Sequence, residues 1–479
     1  MRKKSILLLS LLFIAGCEGV TQSSTPPHSS IKESITESSE IPQEQICQIC
    51  NYAEKQIYDD LAQFTPTKFD STTVNKTTTL LAKGVTQSKY TFTLTNGNNS
   101  MVVATEVDLN YASIVAGTYE NQTSAIQVSK IYNHLQYYEA ANPTKKVLLA
   151  TNADFFGGNT AVNAFVKDSI IIKNSHNDKG IYDYTNLNAD IPASMPMLFG
   201  VSSTTAQIAP IVKNQTVENT IKSKLFYTLE SIRNNESKQI SNNVVVNQSN
   251  EKQNINIVFN TSLSAAVRVE SYVLKLKKDE HESTRVHGQI TEITEVSSYT
   301  TFKPTNDEYY IIVPKSLGIS DFTVGDILTY YINSEDGTWK YYDTIIGCRQ
   351  SLVENGNIAS TVTKENSNGA QTTGVPRTAI GVMPNGNVVI FNVEGLRYSK
   401  KSTDESDPYG LNLIQLAEFM RYYGVYNGAN FDGGGSTSLI TRNPQTDQLE
   451  VTVRSSDYAT TNLNDSRNVI NSLLVTTKR

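Results

Sequence analysis

Short strand-like segments separated by turn residues fill most of this sequence, and this pattern constrains the fold more than any other feature. Tyr90, Phe92 and Leu94 alternate with polar residues and lead into a turn at Asn96-Gly97. This arrangement predicts a β-hairpin whose second strand runs from Met101 to Asp108. A chain built mainly from such segments forms β-sheets, and its composition excludes pore, collagen and coiled-coil classes.

Two segments have helical spacing instead. Ile131, Leu135 and Tyr138 mark one face of a helix that ends near Asn142-Pro143. Asn412 is a good N-cap residue for a second helix, which Gly424 would stop. The apolar face of that second helix consists of Leu413, Leu416, Ala417 and Met420.

The first residues have the pattern of an export signal. Arg2 to Lys4 are positive, and the apolar run from Ser5 to Ala15 is 11 residues long, shorter than the ~20 that cross a bilayer. The run ends in Ile14-Ala15-Gly16-Cys17, which resembles the bacterial lipobox, where the cysteine carries a lipid. We therefore predict a signal peptide at 1–16, lipidation of Cys17, and an extracytoplasmic protein anchored to a bacterial membrane or cell surface.

Composition divides the rest of the chain. Residues 17–45 are rich in Ser, Thr, Pro and Glu and predict a disordered tether. Residues 46–78 predict an N-terminal helix and linker, and residues 79–479 one main domain. Whether Cys47, Cys50 and Cys348 form a disulfide stays open.

A β-rich module is predicted to interrupt the main domain at about 212–343. Within this range, Lys222 to Asn250 is polar and weakly patterned, which predicts a mobile segment. The predicted strands of the module are Asn254 to Phe259, Val269 to Leu276, Gly288 to Val296, Tyr309 to Val313 and Ile327 to Ile332.

The strongest chemical signal is the segment Asn430-Phe431-Asp432-Gly433-Gly434-Gly435-Ser436-Thr437. Adjacent glycines let the backbone approach a ligand, so successive N–H groups can form a nest for an anion such as phosphate. Arg377 and Arg467 supply planar donors that match phosphate, and Ser436 and Thr437 add hydroxyls. The alternative is that this segment is only a turn.

Asp432, Glu394 and Asp154 are the candidate carboxylates for acid, base or nucleophile chemistry on an acetal. Asn152 and Asn430 could bond sugar hydroxyls or an N-acetyl group. The same three carboxylates could instead hold Ca²⁺ or Mg²⁺, although no cofactor is certain.

Other activities fit less well. The formal net charge of −6 argues against a nucleic-acid partner. The glycine-rich segment lacks the lysine of a phosphate-binding loop, and Ser436 does not lie in a nucleophile elbow. A zinc-protease HExxH motif is absent from the sequence.

Five motifs together carry a resemblance to a known family. The first of these motifs directly follows a predicted apolar strand, Val147 to Thr151. The last one precedes another predicted strand, Leu473 to Thr476. The motifs are Asn152-Ala153-Asp154-Phe155-Phe156, Leu352-Val353-Glu354-Asn355-Gly356, Gly374-Val375-Pro376-Arg377-Thr378-Ala379-Ile380-Gly381, Asn430 to Thr437, and Arg467-Asn468-Val469. In this order they resemble the phosphodiester glycosidase family.

The resemblance implies an α+β fold, with a central, mainly antiparallel or mixed β-sheet and flanking helices. It also implies hydrolysis of the bond between a sugar anomeric carbon and a phosphodiester. On the matching positions, Asp432 would lie at the reacting centre. The phosphate would be held by Arg377, Thr378, Arg467, Ser436, Thr437 and the backbone of Gly433, Gly434 and Gly435.

The principal hypothesis is therefore a surface-anchored hydrolase of N-acetylglucosamine-like sugar 1-phosphodiesters in envelope glycopolymers or exopolysaccharide. One alternative is a non-catalytic lipoprotein that binds glycan or cell wall in the same groove. Another is a scaffold whose function lies in the β-rich module. The sugar, its anomer and the oligomeric state are not predicted.

Overall fold

A computed structural model gives the fold of this chain. The signal peptide, Cys17, Cys47 and Cys50, and the helix predicted from residue 46, lie outside the residues that it describes. The described residues are 32–35, 64–120, 126–158, 160–168, 170–173, 197–210, 226–233, 236–241, 244–246, 255–258, 265–267, 270–279, 286–297, 300–302, 305, 307–333, 339, 342–360, 362, 374–399, 404 and 406–478.

Fourteen strands and one helix lie in the described residues of the first part of the chain, and the predicted hairpin and helix are confirmed. The elements are β1 (Lys32–Ile35), β2 (Phe69–Ala82), β3 (Val85–Leu94), β4 (Asn99–Val107), β5 (Ala112–Gly117), β6 (Tyr119–Glu120), β7 (Ile126–Gln127), α1 (Ile131–Ala141), β8 (Val147–Asn152), β9 (Phe156–Gly157), β10 (Thr160–Ala161), β11 (Phe165–Lys167), β12 (Ile170–Lys173), β13 (Met197–Val201) and β14 (Ala206–Pro210).

The next ten strands all lie within the range predicted for the β-rich module. They are β15 (Phe226–Arg233), β16 (Glu236–Ser241), β17 (Val244–Val246), β18 (Ile255–Val258), β19 (Ala265–Val267), β20 (Ser271–Asp279), β21 (Val286–Val296), β22 (Thr300–Phe302), β23 (Glu308–Pro314) and β24 (Ile327–Asn333).

The last part of the chain adds nine strands and the second predicted helix. They are β25 (Thr344–Cys348), β26 (Ser351–Glu354), β27 (Asn357–Ile358), β28 (Arg377–Val382), β29 (Val388–Glu394), α2 (Leu413–Tyr423), β30 (Asn427–Asn430), β31 (Leu439–Arg442), β32 (Leu449–Val453) and β33 (Ser472–Thr477).

A nine-stranded sheet joins the two ends of the chain in the order β1-β2-β3-β4-β29-β28-β30-β26-β27. Its central pairing is antiparallel, with Val107 of β4 opposite Val388 of β29 and Met101 opposite Glu394. Strands before and after the module therefore form one sheet, because each supplies backbone partners that the other lacks.

Two five-stranded sheets pack against the large one, in the orders β32-β31-β8-β33-β5 and β12-β11-β25-β13-β14. All three sheets contribute to one apolar core, which contains Phe431, Phe199 and Phe165. This core lies directly beneath the glycine-rich segment, since Phe431 precedes Asp432. Burial of these large side chains is the main force that fixes the segment in place.

The module has its own core. Its eight-stranded sheet runs in the order β16-β15-β24-β21-β20-β23-β18-β17. Tyr309 and Trp339 are buried there, together with Leu198 and Ile345 of the neighbouring five-stranded sheet. The module is thus packed on the main domain through a continuous apolar contact.

The helical part of the predicted α+β fold is corrected, because the protein is mainly β-sheet. The described residues contain two α-helices, α1 and α2. Asn412 caps α2 as predicted, in a capping box with Gln415, and Gly424 ends it at φ 106°. No helix among the described residues combines the length and the hydropathy needed to cross a membrane.

The structure places strands in three segments for which none was predicted. Strand β2 begins at Phe69, inside the predicted linker, and pairs with β3 over almost its whole length. Lys32–Ile35, in the predicted tether, pairs in parallel with β2. The segment predicted to be mobile, Lys222 to Asn250, contains three strands, because β24 supplies a partner for β15 that lies about a hundred residues further along the chain.

Candidate active site

Three chain segments meet where the glycine-rich segment leaves the large sheet. The backbone N–H of Asp432 donates to the carbonyl oxygen of Ala153 at 2.9 Å, and that of Phe431 donates to Thr378 at 2.8 Å. Gly434 donates to the carbonyl oxygen of Pro376 at 2.8 Å. The ends of β8 and β30 and the start of β28 are therefore fixed relative to one another by backbone bonds.

Asn152 connects the same segments through its side chain. Its Nδ2 donates to the carbonyl oxygen of Asp432 at 2.7 Å, and its Oδ1 accepts from Thr378 Oγ1 at 2.7 Å. Asn152, Thr378 and Thr437 are fully buried, and Thr378 Oγ1 also lies 3.3 Å from Thr437 Oγ1. These predicted ligand-binding side chains bond to one another and thereby position the segment.

Asp432 is the carboxylate with the most perturbed environment at this junction. Burial raises its pKa to about 6. Four groups lower the pKa, but by less than burial raises it: the Ser436 hydroxyl, the charge of Arg467, the Gly433 backbone and the charge of Arg349. A carboxyl group with this pKa can exchange a proton near neutral pH, which is the property that acid–base chemistry needs.

Several N–H groups of the glycine-rich turn have partners within the protein. Gly434 donates to Pro376, Ser436 donates to Gly433 at 3.2 Å, and Thr437 donates to Gly434 at 3.2 Å. The N–H groups of these three residues are used within the protein because Gly434–Ser436 forms a 3-10 turn. Two of the glycines are needed for the path of the backbone. A Cβ at Gly433 would lie 2.9 Å from the Pro376 oxygen, and Gly434 has φ +60°, which favours glycine.

Arg377 and Arg467, the two arginines predicted to bind phosphate, both lie beside this turn. Arg377 Nε donates to the carbonyl oxygen of Leu411 at 3.1 Å. Its Cδ is 3.6 Å from the position that a Cβ on Gly433 would occupy. Arg467 is held by Asp457 and contributes to the pKa of Asp432. Two guanidinium groups are therefore placed around the turn that follows Asp432.

Arg349 is a site residue that the sequence reasoning missed. Its charge lowers the pKa of Asp432, its guanidinium lies 5.5 Å from the centre of the Phe155 ring, and its N–H donates to Asn430 at 2.9 Å. The available signal was its position directly after the buried strand β25, where a loop exposes polar groups.

Asn430 is 2% exposed and its Nδ2 donates to Gln350 Oε1 at 3.3 Å. This asparagine therefore supports the loop that carries Arg349.

Glu394 lies in a separate ion-pair cluster. Its oxygens accept from Arg454 Nε at 3.0 Å and Nη2 at 2.9 Å, and Arg454 also donates to Asp407 at 2.8 Å. These partners raise the pKa of the Arg454 guanidinium. Because both of its oxygens are paired, Glu394 is held as a structural anion at the end of β29.

Asp154 is fully buried behind Ala153, whose carbonyl oxygen bonds Asp432. Its carboxylate accepts from the Asn163 side chain at 2.6 Å and from the Asn163 N–H at 3.1 Å. Burial, together with the charge of Asp154, raises the pKa of the Cys348 thiol. Cys348 is buried and forms no disulfide with another described residue.

Of the three predicted carboxylates, Asp432 lies at the junction, and Glu394 and Asp154 each accept hydrogen bonds from protein groups. In the part of the chain that the structure describes, no three His, Cys, Asp or Glu residues are grouped so that they could hold a metal ion. The Ca²⁺ or Mg²⁺ ion stays a prediction that these residues do not test.

Comparison with known proteins decides the family. The model of the phosphodiester glycosidase family matches residues 233–476, about half of the chain. This chain belongs to the phosphodiester glycosidase family. The match covers the glycine-rich segment, Arg349, Arg377 and Arg467, and it leaves out the first strands of the large sheet.

Individual relatives are distant. A mouse (Mus musculus) protein, N-acetylglucosamine-1-phosphodiester alpha-N-acetylglucosaminidase, is 36% identical over 64 residues, which are 13% of this chain and 11% of the mouse protein. The matched stretch is therefore a small part of either chain.

One solved structure shows a similar fold. A hypothetical protein from Synechocystis superposes with a TM-score of 0.50 at 15% identity, over 87% of this chain and 65% of that one. The catalytic domain of zebrafish N-acetylglucosamine-1-phosphodiester alpha-N-acetylglucosaminidase, auto-inhibited by its pro-peptide, gives a TM-score of 0.39 at 14% identity, over 85% of this chain and 89% of that one.

Proposed function

We propose that this protein hydrolyses the bond between a sugar anomeric carbon and a phosphodiester, with Asp432 at the reacting carbon. The observation that carries the proposal is a buried carboxyl group, its pKa raised to about 6, among arginines in a member of the phosphodiester glycosidase family. The sugar is N-acetylglucosamine-like, and the natural substrate is an envelope glycopolymer or exopolysaccharide.

Each residue has a specific role in this proposal. Arg377 and Arg467 bind the phosphate oxygens and stabilise the charge that develops when the bond to the anomeric carbon breaks. Asp432 acts in its ionised form, as nucleophile or as the base that activates water. Arg349 and Phe155 form the wall beside Asp432, where the sugar or its neighbour in the polymer contacts the protein.

A lipid on Cys17 places this activity at a membrane surface. The basic residues, the apolar run and the terminal cysteine of the leader support this part of the proposal. Replacing Cys17 with Ser is expected to release the protein from the membrane fraction after export, which fractionation and immunoblotting will measure. Persistence of the variant in the membrane fraction would argue against lipidation as the anchor.

Hydrolysis is tested with protein lacking the leader and Cys17, incubated with an N-acetylglucosamine 1-phosphodiester. Free sugar is the expected product, and Asp432→Asn is expected to reduce its release about 10²–10⁴-fold. Asp465→Asn is the matched control, since that carboxylate lies in the C-terminal loop and accepts only from Thr460 among the bonds seen. Glycan binding without turnover would favour a non-catalytic glycan-binding protein instead.

A further inference from the structure

An ion pair in the C-terminal loop lies against the glycine-rich turn. Arg467 donates through Nε to Asp457 Oδ2 at 2.9 Å and through Nη2 to Asp457 Oδ1 at 3.1 Å. Two parallel bonds of this kind fix the plane of a guanidinium as well as its distance. Arg467 therefore has a defined orientation although it lies at the surface.

Gly435 provides the space for this pair. A Cβ at Gly435 would lie 2.2 Å from Asp457 Oδ1 and 2.3 Å from Arg467 Nη2. The pair consequently occupies the volume that any side chain at position 435 would need. Gly435, the third glycine of the turn, does not have a positive φ. The need for glycine at this position therefore comes from the space that the ion pair occupies.

The segment that carries Asp457 also bonds the turn directly. Ser455 is 1% exposed, and its Oγ donates to the carbonyl oxygen of Gly435 at 2.7 Å. The N–H of Asp457 in turn donates to Ser455 Oγ at 3.4 Å. Gly435 is thus held by the Ser455 bond and by the ion pair packed on its Cα.

The charge of Arg467 reaches Asp432 across this turn. Arg467 lowers the pKa of Asp432, as does Arg349 from the loop after β25. Arg377 lies along Gly433, and the neighbouring Arg454 is paired with Glu394 and Asp407. The orientation of Arg467 is therefore one of the features that determine the electric field at the Asp432 carboxyl group.

We propose that Asp457 is a positioning residue, which holds the Arg467 guanidinium on Gly435 so that its charge faces Asp432 and the substrate phosphate. This inference rests on the proposed function. The pair has little value for stability, because both side chains are more than a third exposed and exposed ion pairs contribute little. Its geometric fit to Gly435 points to a role in placing the charge.

The test measures the pKa of Asp432 by carbon NMR titration, with Asp432→Asn used to assign the signal. Asp457→Ala and Arg467→Gln should each raise this pKa, by about one unit if the full charge is displaced. The double variant should raise it no further than Arg467→Gln alone. Asp457→Glu should restore part of the wild-type value, and Asp465→Ala, in the same loop, should change nothing.

Two results would overturn the inference. A lower or unchanged pKa of Asp432 in Asp457→Ala would mean that Arg467 keeps its place without Asp457. Additive effects in the double variant would mean that the two residues act separately. Circular dichroism checks that each variant is folded, and Asp457→Asn, which keeps the shape and one acceptor, should give an intermediate pKa.

The titration does not require turnover, so the two proposals fail separately. A wild-type protein that releases no sugar would contradict the proposed function, while the NMR comparison would still decide whether Asp457 positions Arg467. In an active protein, KM for the phosphodiester should rise in Asp457→Ala and in Arg467→Gln. The inflection of kcat/KM against pH should move with the pKa of Asp432.

Discussion

The side-chain amide of Asn152 donates to the main-chain carbonyl of Asp432 at 2.7 Å, while its oxygen accepts from Thr378 at the same distance. This buried asparagine therefore fixes the residue that we place at the reacting carbon. Asn152→Ala removes both bonds and takes this donor from the carbonyl oxygen of Asp432, so it should lower the free energy of unfolding by about 1–3 kcal/mol. Urea unfolding followed by circular dichroism will measure this loss.

Asn110→Ala is the matched control, because that side chain bonds only Asp108 in an exposed turn. Its effect on the free energy of unfolding should stay within about 0.5 kcal/mol. If Asn152→Ala kept wild-type stability and lost only activity, Asn152 would have to contact the ligand after all.

Asp432 gives the protein a pH dependence of known sign. Its pKa in the folded protein is about 6, above the ordinary value of 3.8, so the ionised form is disfavoured by folding. The contribution of this group to the free energy of unfolding is fully present below about pH 4 and is lost as the pH rises through about 6. Asp432→Asn should therefore raise the free energy of unfolding at pH 7.5, by about 2–3 kcal/mol, and by less at pH 4.5.

The same group sets the pH dependence of catalysis. Because Asp432 acts in its ionised form, kcat/KM should rise with pH through an inflection near 6. Rates measured between pH 4.5 and 8 with one substrate will locate it. A variant Asp432→Asn that retained this inflection would show that another group produces it.

Glu394 is expected to stabilise the fold rather than to react. Glu394→Gln removes the charge that Arg454 pairs with through three bonds, and should lower the free energy of unfolding by about 2–3 kcal/mol. The folded fraction should keep kcat/KM within about tenfold of wild type, unlike Asp432→Asn. Combined unfolding and rate measurements test both statements.

Asp326→Asn in the module provides a comparison for Glu394→Gln. Asp326 is 5% exposed and pairs with Arg233 through two bonds, at 2.8 and 2.6 Å, far from the junction. Asp326→Asn should lower the free energy of unfolding and leave kcat/KM unchanged. Wild-type stability with lost activity in Glu394→Gln would instead place Glu394 among the reacting carboxylates.

The glycines of the turn should differ in their sensitivity. Gly435→Ala forces its new methyl group into Asp457 and Arg467, and should reduce kcat/KM about 10²-fold by displacing the pair. Gly434→Ala meets no atom within 4 Å and carries only the strain of φ +60°, about 1 kcal/mol. Equal activity losses in the two variants would argue against a specific role for the space at Gly435.

Local chemistry made some elements predictable from the sequence. The helix α2 was predicted with its cap and its end because Asn412 and Gly424 act within one turn of the helix. The hairpin at Asn96-Gly97 was predictable for the same reason, since Asn-Gly pairs favour tight turns at any place in a fold.

Features that depend on distant partners were not predictable in this way. The strand Phe226–Arg233 looked mobile because its partner, β24, is far along the chain. Asn152 was predicted to be a sugar ligand because its bonds to Asp432 and Thr378 join segments that are far apart in the sequence. Arg349 and Asp457 were missed, since nothing in their local sequence indicates contact with Gly435 or an effect on Asp432.

The order of strands has a consequence for how the chain folds. Strand β4 pairs with β29, and the whole module lies between these two strands in the sequence. Forming the large sheet therefore closes a very long loop, which slows folding. Within the module, however, Phe226 at the start of β15 pairs with Asn333 at the end of β24. Early formation of that pair brings the two ends of the module together, which shortens the loop left to close and assists assembly of the sheet that carries Asp432.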